Sequence, residues 1–192
     1  MTLRRLVAIL SVAVAAAVVG ARAVRGEDAP GPPAKAEPLT PGLVQALHLD
    51  PDSVRTLGAY RTRSGADVEV AYGRRVGGAE CLVLVADRGD GAGCGGLWAL
   101  GPVAILEGSS GGPELEKRSD LEVVGLARPN VARVAIVDTA GQTRWPALNE
   151  NHAFVVDFTR AELHARVGPA QLVAYDRAGV EIMRLDLGEP GS

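Results

Sequence analysis

Ala132-Arg-Val-Ala-Ile-Val-Asp138-Thr-Ala-Gly141-Gln-Thr143-Arg-Trp-Pro-Ala-Leu148 decides the fold class. Val134 and Ile136 recur at every second residue, the period of a half-buried strand, and Thr139-Ala-Gly141 punctuates the run where a chain reverses.

The same unit recurs around this stretch. Leu121 to Ala127, Ala132 to Asp138, Thr143 to Leu148, Ala153 to Phe158, Gln171 to Asp176 and Val180 to Leu187 are all strand-like, with Arg177-Ala-Gly179 as another turn. Val134 and Ile136 share a face, as do Phe154, Val156 and Phe158, and these residues are the expected core. Short strands at this spacing predict a β-sandwich, Ig-like or related, in the C-terminal part. Buried Trp residues are common in such domains, so Trp145 is expected in the core rather than as a carbohydrate platform. One helix interrupts the strands. Thr159-Arg-Ala-Glu162 is a capping box, Leu163 and Val167 give an apolar face, and Gly168-Pro169 ends it.

Towards the N-terminus, Leu43, Val44 and Leu47 mark a short helix over 42–48, with Thr40 as N-cap and Pro41 in the first turn. Thr56 to Arg61 and Asp67 to Tyr72 are expected to form a hairpin across Arg61-Thr-Arg-Ser-Gly65. Its second strand should be half-buried, with Val68, Val70 and Tyr72 inside and Asp67, Glu69 and Ala71 outside. Cys81-Leu-Val-Leu-Val-Ala86 is apolar on both faces and reads as a central strand. It runs into Asp87-Arg-Gly-Asp-Gly-Ala-Gly93, expected as a loop, and Cys94 follows. The fold expected is therefore mainly β, a C-terminal sandwich with an N-terminal disulfide-linked β layer and one or two short helices.

The first residues point to export. Met-Thr-Leu-Arg-Arg precedes Leu6 to Ala21, which carries no charge, and Ala21-Arg-Ala23 offers small residues to a signal peptidase. A helix over that stretch reaches about 24 Å against a hydrocarbon core of about 30 Å, which favours a cleaved signal. The alternative is a retained single-pass anchor through residues 6–24, with Arg22 and Arg25 snorkelling. Gly26 to Pro41 holds five prolines and a single large apolar residue, Leu39, and reads as a spacer with no core. The expected organisation is a signal peptide or signal anchor at 1–23, a Pro-rich linker at 24–41, a β-rich exported domain at 42–188 and a tail at 189–192. In an oxidising compartment, Cys81 and Cys94 are expected to form a disulfide worth about 3 kcal/mol in the chain-entropy model.

Composition removes several functions. The 192 residues carry 20 Lys+Arg against 23 Asp+Glu, and cleavage after Ala23 would shift the net charge from −3 to −6. The basic residues are scattered among acids, so a nucleic-acid surface is not expected. His48, His152 and His164 stand far apart without ligand spacing, and no metal or cofactor is expected. Asp87 and Asp90 are read as turn formers rather than Ca²⁺ ligands. Gly108-Ser-Ser-Gly-Gly112 fits G-x-S-x-G and would make Ser110 a nucleophile, with Asp138 and His152 or His164 in the required order. An elbow of that kind needs a strand-to-helix turn on an α/β sheet, and the segment after Gly112 is too short for that helix. The expectation is a non-enzymatic module with an unknown protein or envelope partner.

From about Arg55 to Leu187 the chain resembles uncharacterised exported β-rich proteins of high-GC bacteria. The residues that carry the resemblance are Cys81, the Gly-rich loop with Cys94, Gly125-Leu-Ala-Arg-Pro129-Asn-Val-Ala-Arg-Val134, Asp138-Thr-Ala-Gly141 and Asp176-Arg-Ala-Gly179. The resemblance implies a small exported β module and transfers no catalytic residue.

Overall fold

A computed structural model describes residues 39–86, 89–111 and 118–188. The expected signal or anchor, the linker up to residue 38 and the C-terminal tail lie outside the described residues. Helix α1 (Pro41–Ala46) starts where Thr40 Oγ1 accepts the Leu43 N–H at 3.3 Å, and a single 3-10 turn follows at Pro51–Ser53. Strands β1 (Arg55–Arg61), β2 (Asp67–Arg74), β3 (Glu80–Ala86) and β4 (Gly91–Cys94) form a first sheet in chain order. Strands β5 (Val103–Gly111), β6 (Arg118–Ala127) and β9 (Ala153–Thr159) form a second, ordered β5-β6-β9. Strands β7 (Arg133–Asp138), β8 (Thr143–Arg144), β10 (Pro169–Tyr175) and β11 (Glu181–Asp186) form a third, ordered β11-β10-β7-β8. Helix α2 (Arg160–His164) follows β9, and its capping box is complete. All strand pairings are antiparallel.

The three sheets stack with the second in the middle. Alternation along β6 and β9 divides their side chains between two cores. Leu121, Val123, Phe154, Val156 and Phe158 meet Val134, Ile136, Leu172, Ala174 and Met183 of the third sheet, with Leu163 of α2 closing one end. On the opposite side, Val124, Leu126, Ala153 and Val155 meet Leu57, Val68, Val70, Leu82 and Leu84 of the first sheet. The far side of the first sheet is covered as well, since Leu39 and Leu49 pack on Ala71, Cys81 and Val83 with α1 alongside. Leu57 and Tyr60 both reach the inner core although three residues apart, because β1 bulges between Thr56 and Gly58 and shifts its alternation.

The sandwich and its disulfide-linked N-terminal layer are present, with β5 joining the C-terminal strands. Several local expectations are corrected. Ala71 is fully buried rather than on a solvent face, because the chain from Leu39 to Leu49 folds back over it. Leu39, assigned to a coreless spacer, is 8% exposed and belongs to that cluster. The glycine-rich segment is only partly a loop, since Gly91 to Cys94 pairs with β3 as an edge strand. The strand expected over 143–148 is two residues long, and Pro146, without an N–H, cannot extend the ladder. Trp145 is 44% exposed rather than in the core.

Gly125 shows how tightly the middle layer is fitted. It lies opposite Phe154 in the β6–β9 register, and a Cβ there would stand 2.1 Å from Phe154 Cζ. The ring lies across the missing side chain of its neighbour, and this close approach admits only glycine.

Candidate binding surfaces

The residues named from the sequence have clear places. Cys81 and Cys94 are directly opposite on β3 and β4 and are bonded. The disulfide joins neighbouring strands of one sheet and ties the edge strand β4 to β3, whose residues Cys81 to Leu84 are buried. Ser110 lies in β5 and pairs with Asp120 of β6, so it stands in a β ladder rather than at the strand-to-helix turn of a nucleophile elbow. Of the residues named as its partners, Asp138 and His164 are bonded elsewhere. Asp138 Oδ1 accepts the N–H groups of Ala140 and Gln142, and its Oδ2 lies 3.5 Å from Arg144. His164 Nε2 accepts from Arg160 Nε at 3.5 Å on α2, and His152 occupies the fourth position of the turn before β9. Asp87 lies outside the described residues. Asp90 lines a cavity of about 290 Å³ with Glu107, Asp120 and Glu122, and among the described residues no group of His, Cys, Asp and Glu has metal-binding geometry. No described helix is long and apolar enough to cross a membrane.

A chain of ions runs along one edge of the stack. Arg63, in the turn between β1 and β2, contacts Asp157 of β9 and Glu162 of α2, with Nη2 to Glu162 Oε2 at 2.8 Å. Arg144 of β8 reaches the same Glu162 at 2.8 Å and lies over the Phe158 ring at 4.2 Å. Burial disfavours the Glu162 carboxylate. Its hydrogen bonds from Arg63, the Thr159 N–H and Arg144 win, and hold its pKa down at about 2. At the other end of β9, Asn149 Nδ2 donates to Leu57 O and Tyr60 Oη, clipping the turn before β9 to β1. Burial pushes the Tyr60 phenol up to about 12 despite that hydrogen bond.

Two surfaces were not legible in the sequence. The first is a cavity of about 620 Å³ beside α1, walled by Leu39, Pro41, Val44, Leu49, Pro51 and Val54. Gln45, His48 and Thr56 add polar groups, and Val76 stands at its rim 83% exposed. His48, which ends the helical segment, has a φ of 54°. The apolar spacing of α1 was readable, but the space left between it and the sheet depends on how the chain returns through Leu49 and Pro51.

The second surface is on the far side of the third sheet. Val134, Ile136, Leu172 and Ala174 point into the stack, so alternation turns Arg133 and Tyr175, paired across β7 and β10, to the outside. Trp145, just past β8, joins them. Its ring centroid is 5.7 Å from that of Tyr175 at 38°, and the Arg133 guanidinium lies 4.9 Å from the Trp145 centroid and 5.9 Å from that of Tyr175. The signal that could have found this cluster is the pairing of the two turn-flanked strands, which no spacing in the sequence specifies. No protein-family model, no curated protein and no solved structure matches the chain.

Proposed function

We propose that the chain is an exported, non-catalytic binding module of the cell envelope that takes a small apolar molecule in the cavity beside α1. The observation that carries this reading is the cavity. Its volume, about 620 Å³, lies within the range of about 300–1,000 Å³ in which small ligands are bound, and its walls are mostly apolar with a few polar groups among them. A mainly apolar ligand with a polar group fits that lining. The Cys81–Cys94 disulfide supports export, because such bonds persist in oxidising compartments. The basic and apolar N-terminal sequence supports it too, either as a cleaved signal or as an anchor that keeps the module at the membrane.

The test is titration with N-phenyl-1-naphthylamine, whose fluorescence rises in apolar surroundings. Saturable enhancement that is lost in Val76→Glu, a charge at the exposed rim with no core to disturb, is the expected result. Enhancement absent, or unchanged in that variant, overturns the reading. Two further measurements define the rest of it. A mature N-terminus at Val24 is expected by mass spectrometry, whereas an intact start in the membrane fraction replaces secretion with anchoring. Labelling by a fluorophosphonate that vanishes in Ser110→Ala would replace the binding module with a serine hydrolase.

A further inference from the structure

The far side of the third sheet holds Trp145 at 44% exposure and Ile182 at 36%, and among the described residues no apolar cluster forms over it. Its charged side chains differ in one respect. Arg184 is bound by Glu181 at 2.6 Å and by Gln171 at 2.9 Å, which in turn bonds Asp186. The Arg133 side chain is exposed and has no hydrogen bond or ion pair with any described residue; its contacts are the two aromatic rings. The rings fix the plane of the guanidinium and leave its N–H donors to meet an incoming group, since stacking engages the face and hydrogen bonding the edge.

We propose that Trp145, Tyr175 and Arg133 form a binding platform for a saccharide that bears a carboxylate. Two aromatic rings present π faces whose negative quadrupole attracts the weakly positive C–H groups on one side of a pyranose. An arginine edge at the border of those rings matches a carboxylate with two parallel N–H···O bonds, which a neutral hydroxyl cannot accept in the same way. Side chains from β7 and β10 and the residue after β8 supply the three groups, so the sheet ladder sets their spacing and little ordering is required on binding. The surface lies across the stack from the cavity beside α1 and does not depend on what that cavity holds.

Trigalacturonate, with a carboxylate on each pyranose, and maltotriose, with none, are the probes, read by calorimetry and by Trp fluorescence on the intact domain. Trigalacturonate is expected to bind at least about tenfold more tightly than maltotriose, the range in which one charged contact decides specificity. Arg133→Gln should remove that preference. Trp145→Ala should weaken both sugars by about tenfold or more, with Trp145→Phe restoring most of the loss and showing that stacking rather than folding is at stake. Arg184→Gln, on the same face but already paired, should bind as the parent does. The proposal is overturned if neither sugar binds at about 10 mM, the weak limit of specific recognition, or if Trp145→Ala binds within twofold of the parent. It is overturned equally if Arg184→Gln loses as much as Arg133→Gln, which would reduce the effect to surface charge.

Discussion

The first sheet turns its far side to Leu39, Leu49 and α1, while the third turns its far side to Trp145, Tyr175, Ile182 and a ladder of polar side chains. Both are antiparallel sheets of four strands that bury their inner faces against the same middle layer. An antiparallel sheet needs only one buried face, so the extra cover on the first sheet is a separate feature of the chain. It shows in composition. β3 has no polar residue between Cys81 and Ala86, whereas the outward positions of β10 and β11 include Gln171, Tyr175, Ile182 and Arg184. Where the chain covers the outer face itself, at Ala71, Cys81 and Val83, the residues are apolar. An outer face that mixes aromatic, charged and small residues is built to meet something outside the chain, or water.

The comparison breaks first at Phe154 and Trp145. Phe154 is fully buried between the second and third sheets, and Phe154→Ala is expected to cost about 3–5 kcal/mol, whereas Trp145→Ala on the outer face of the third sheet should cost under about 1 kcal/mol. Urea midpoints of the two variants provide the measurement, and a larger loss at Trp145 would move the core to the wrong side of the third sheet. The disulfide comes next. Replacing Cys81 and Cys94 by Ala should cost about 3 kcal/mol by freeing β4 in the unfolded chain, and peptide mapping without reductant should recover the two cysteines as one linked species. Leu49→Ala on the outer side of the first sheet should then cost about 2–3 kcal/mol against about 0.5 kcal/mol or less for the exposed Ile182→Ala on that of the third. Equal costs would mean that Ile182 is covered in solution.

Much of this was readable from the residues. The period of two over Asp67 to Tyr72, the two-sided apolar run after Cys81 and the capping box at Thr159 each carry their structure locally. Pairing between distant strands was not readable. β6 and β7 are neighbours in sequence but lie in different sheets, because Arg128-Pro129-Asn130 carries the chain across the stack instead of reversing it, and alternation is the same in either case. Ala71 was misplaced for a similar reason, since an alanine is compatible with either face until the segment that covers it is known. Trp145 has two natural environments, and its position beside Pro146, where the ladder ends, decided for the surface. The candidate site suffered most from this limit: Arg133, Trp145 and Tyr175 are 42 residues apart in sequence from first to last and meet only through strand pairing.

The turns between strands offer a finer comparison within the same scaffold. Thr62, Arg75, Asp138, Asn149 and Asp176 each donate an N–H to the carbonyl four residues on and accept one from the residue three on. The fourth residue has positive φ every time, and it is Gly65, Gly78, Gly141 and Gly179 in four cases but His152, at 58°, in the other. Asn149 repeats the side-chain bonds of Asp138 and Asp176, taking the N–H groups two and four residues ahead. A side chain in the left-handed region costs about 1–2 kcal/mol. His152→Gly is therefore expected to raise stability by up to about 1 kcal/mol, and Gly141→Ala to lower it by about as much. Thermal unfolding of both variants checks the pair. A loss on His152→Gly would assign the imidazole, whose Nδ1 is buried with no hydrogen-bond partner among the described residues, a packing role that outweighs its backbone strain.

The last comparison concerns the tie between the two outer sheets. Arg63 from the first, Asp157 from the middle sheet, Glu162 from α2, and Arg144 with Asp138 from the third make a continuous line of opposite charges along one edge. Glu162 is its centre, held near 2 instead of its ordinary 4.5 by Arg63, the Thr159 N–H and Arg144 against the opposing effect of burial. A carboxyl whose pKa is lower in the folded state contributes stability that is complete above the unfolded value and is lost as pH falls through the folded one. The contribution from Glu162 should thus be intact above about pH 4.5 and fade towards pH 2. Glu162→Gln keeps the shape of the side chain but cannot ionise, so its stability should vary less with pH in that window than that of the parent, and the two should converge at the acid end. Urea midpoints at intervals through the window measure this. Parallel acid limbs would mean that Arg63 and Arg144 hold the sheets together through Asp157 and Asp138 alone, and that the central carboxylate adds nothing the backbone does not already supply.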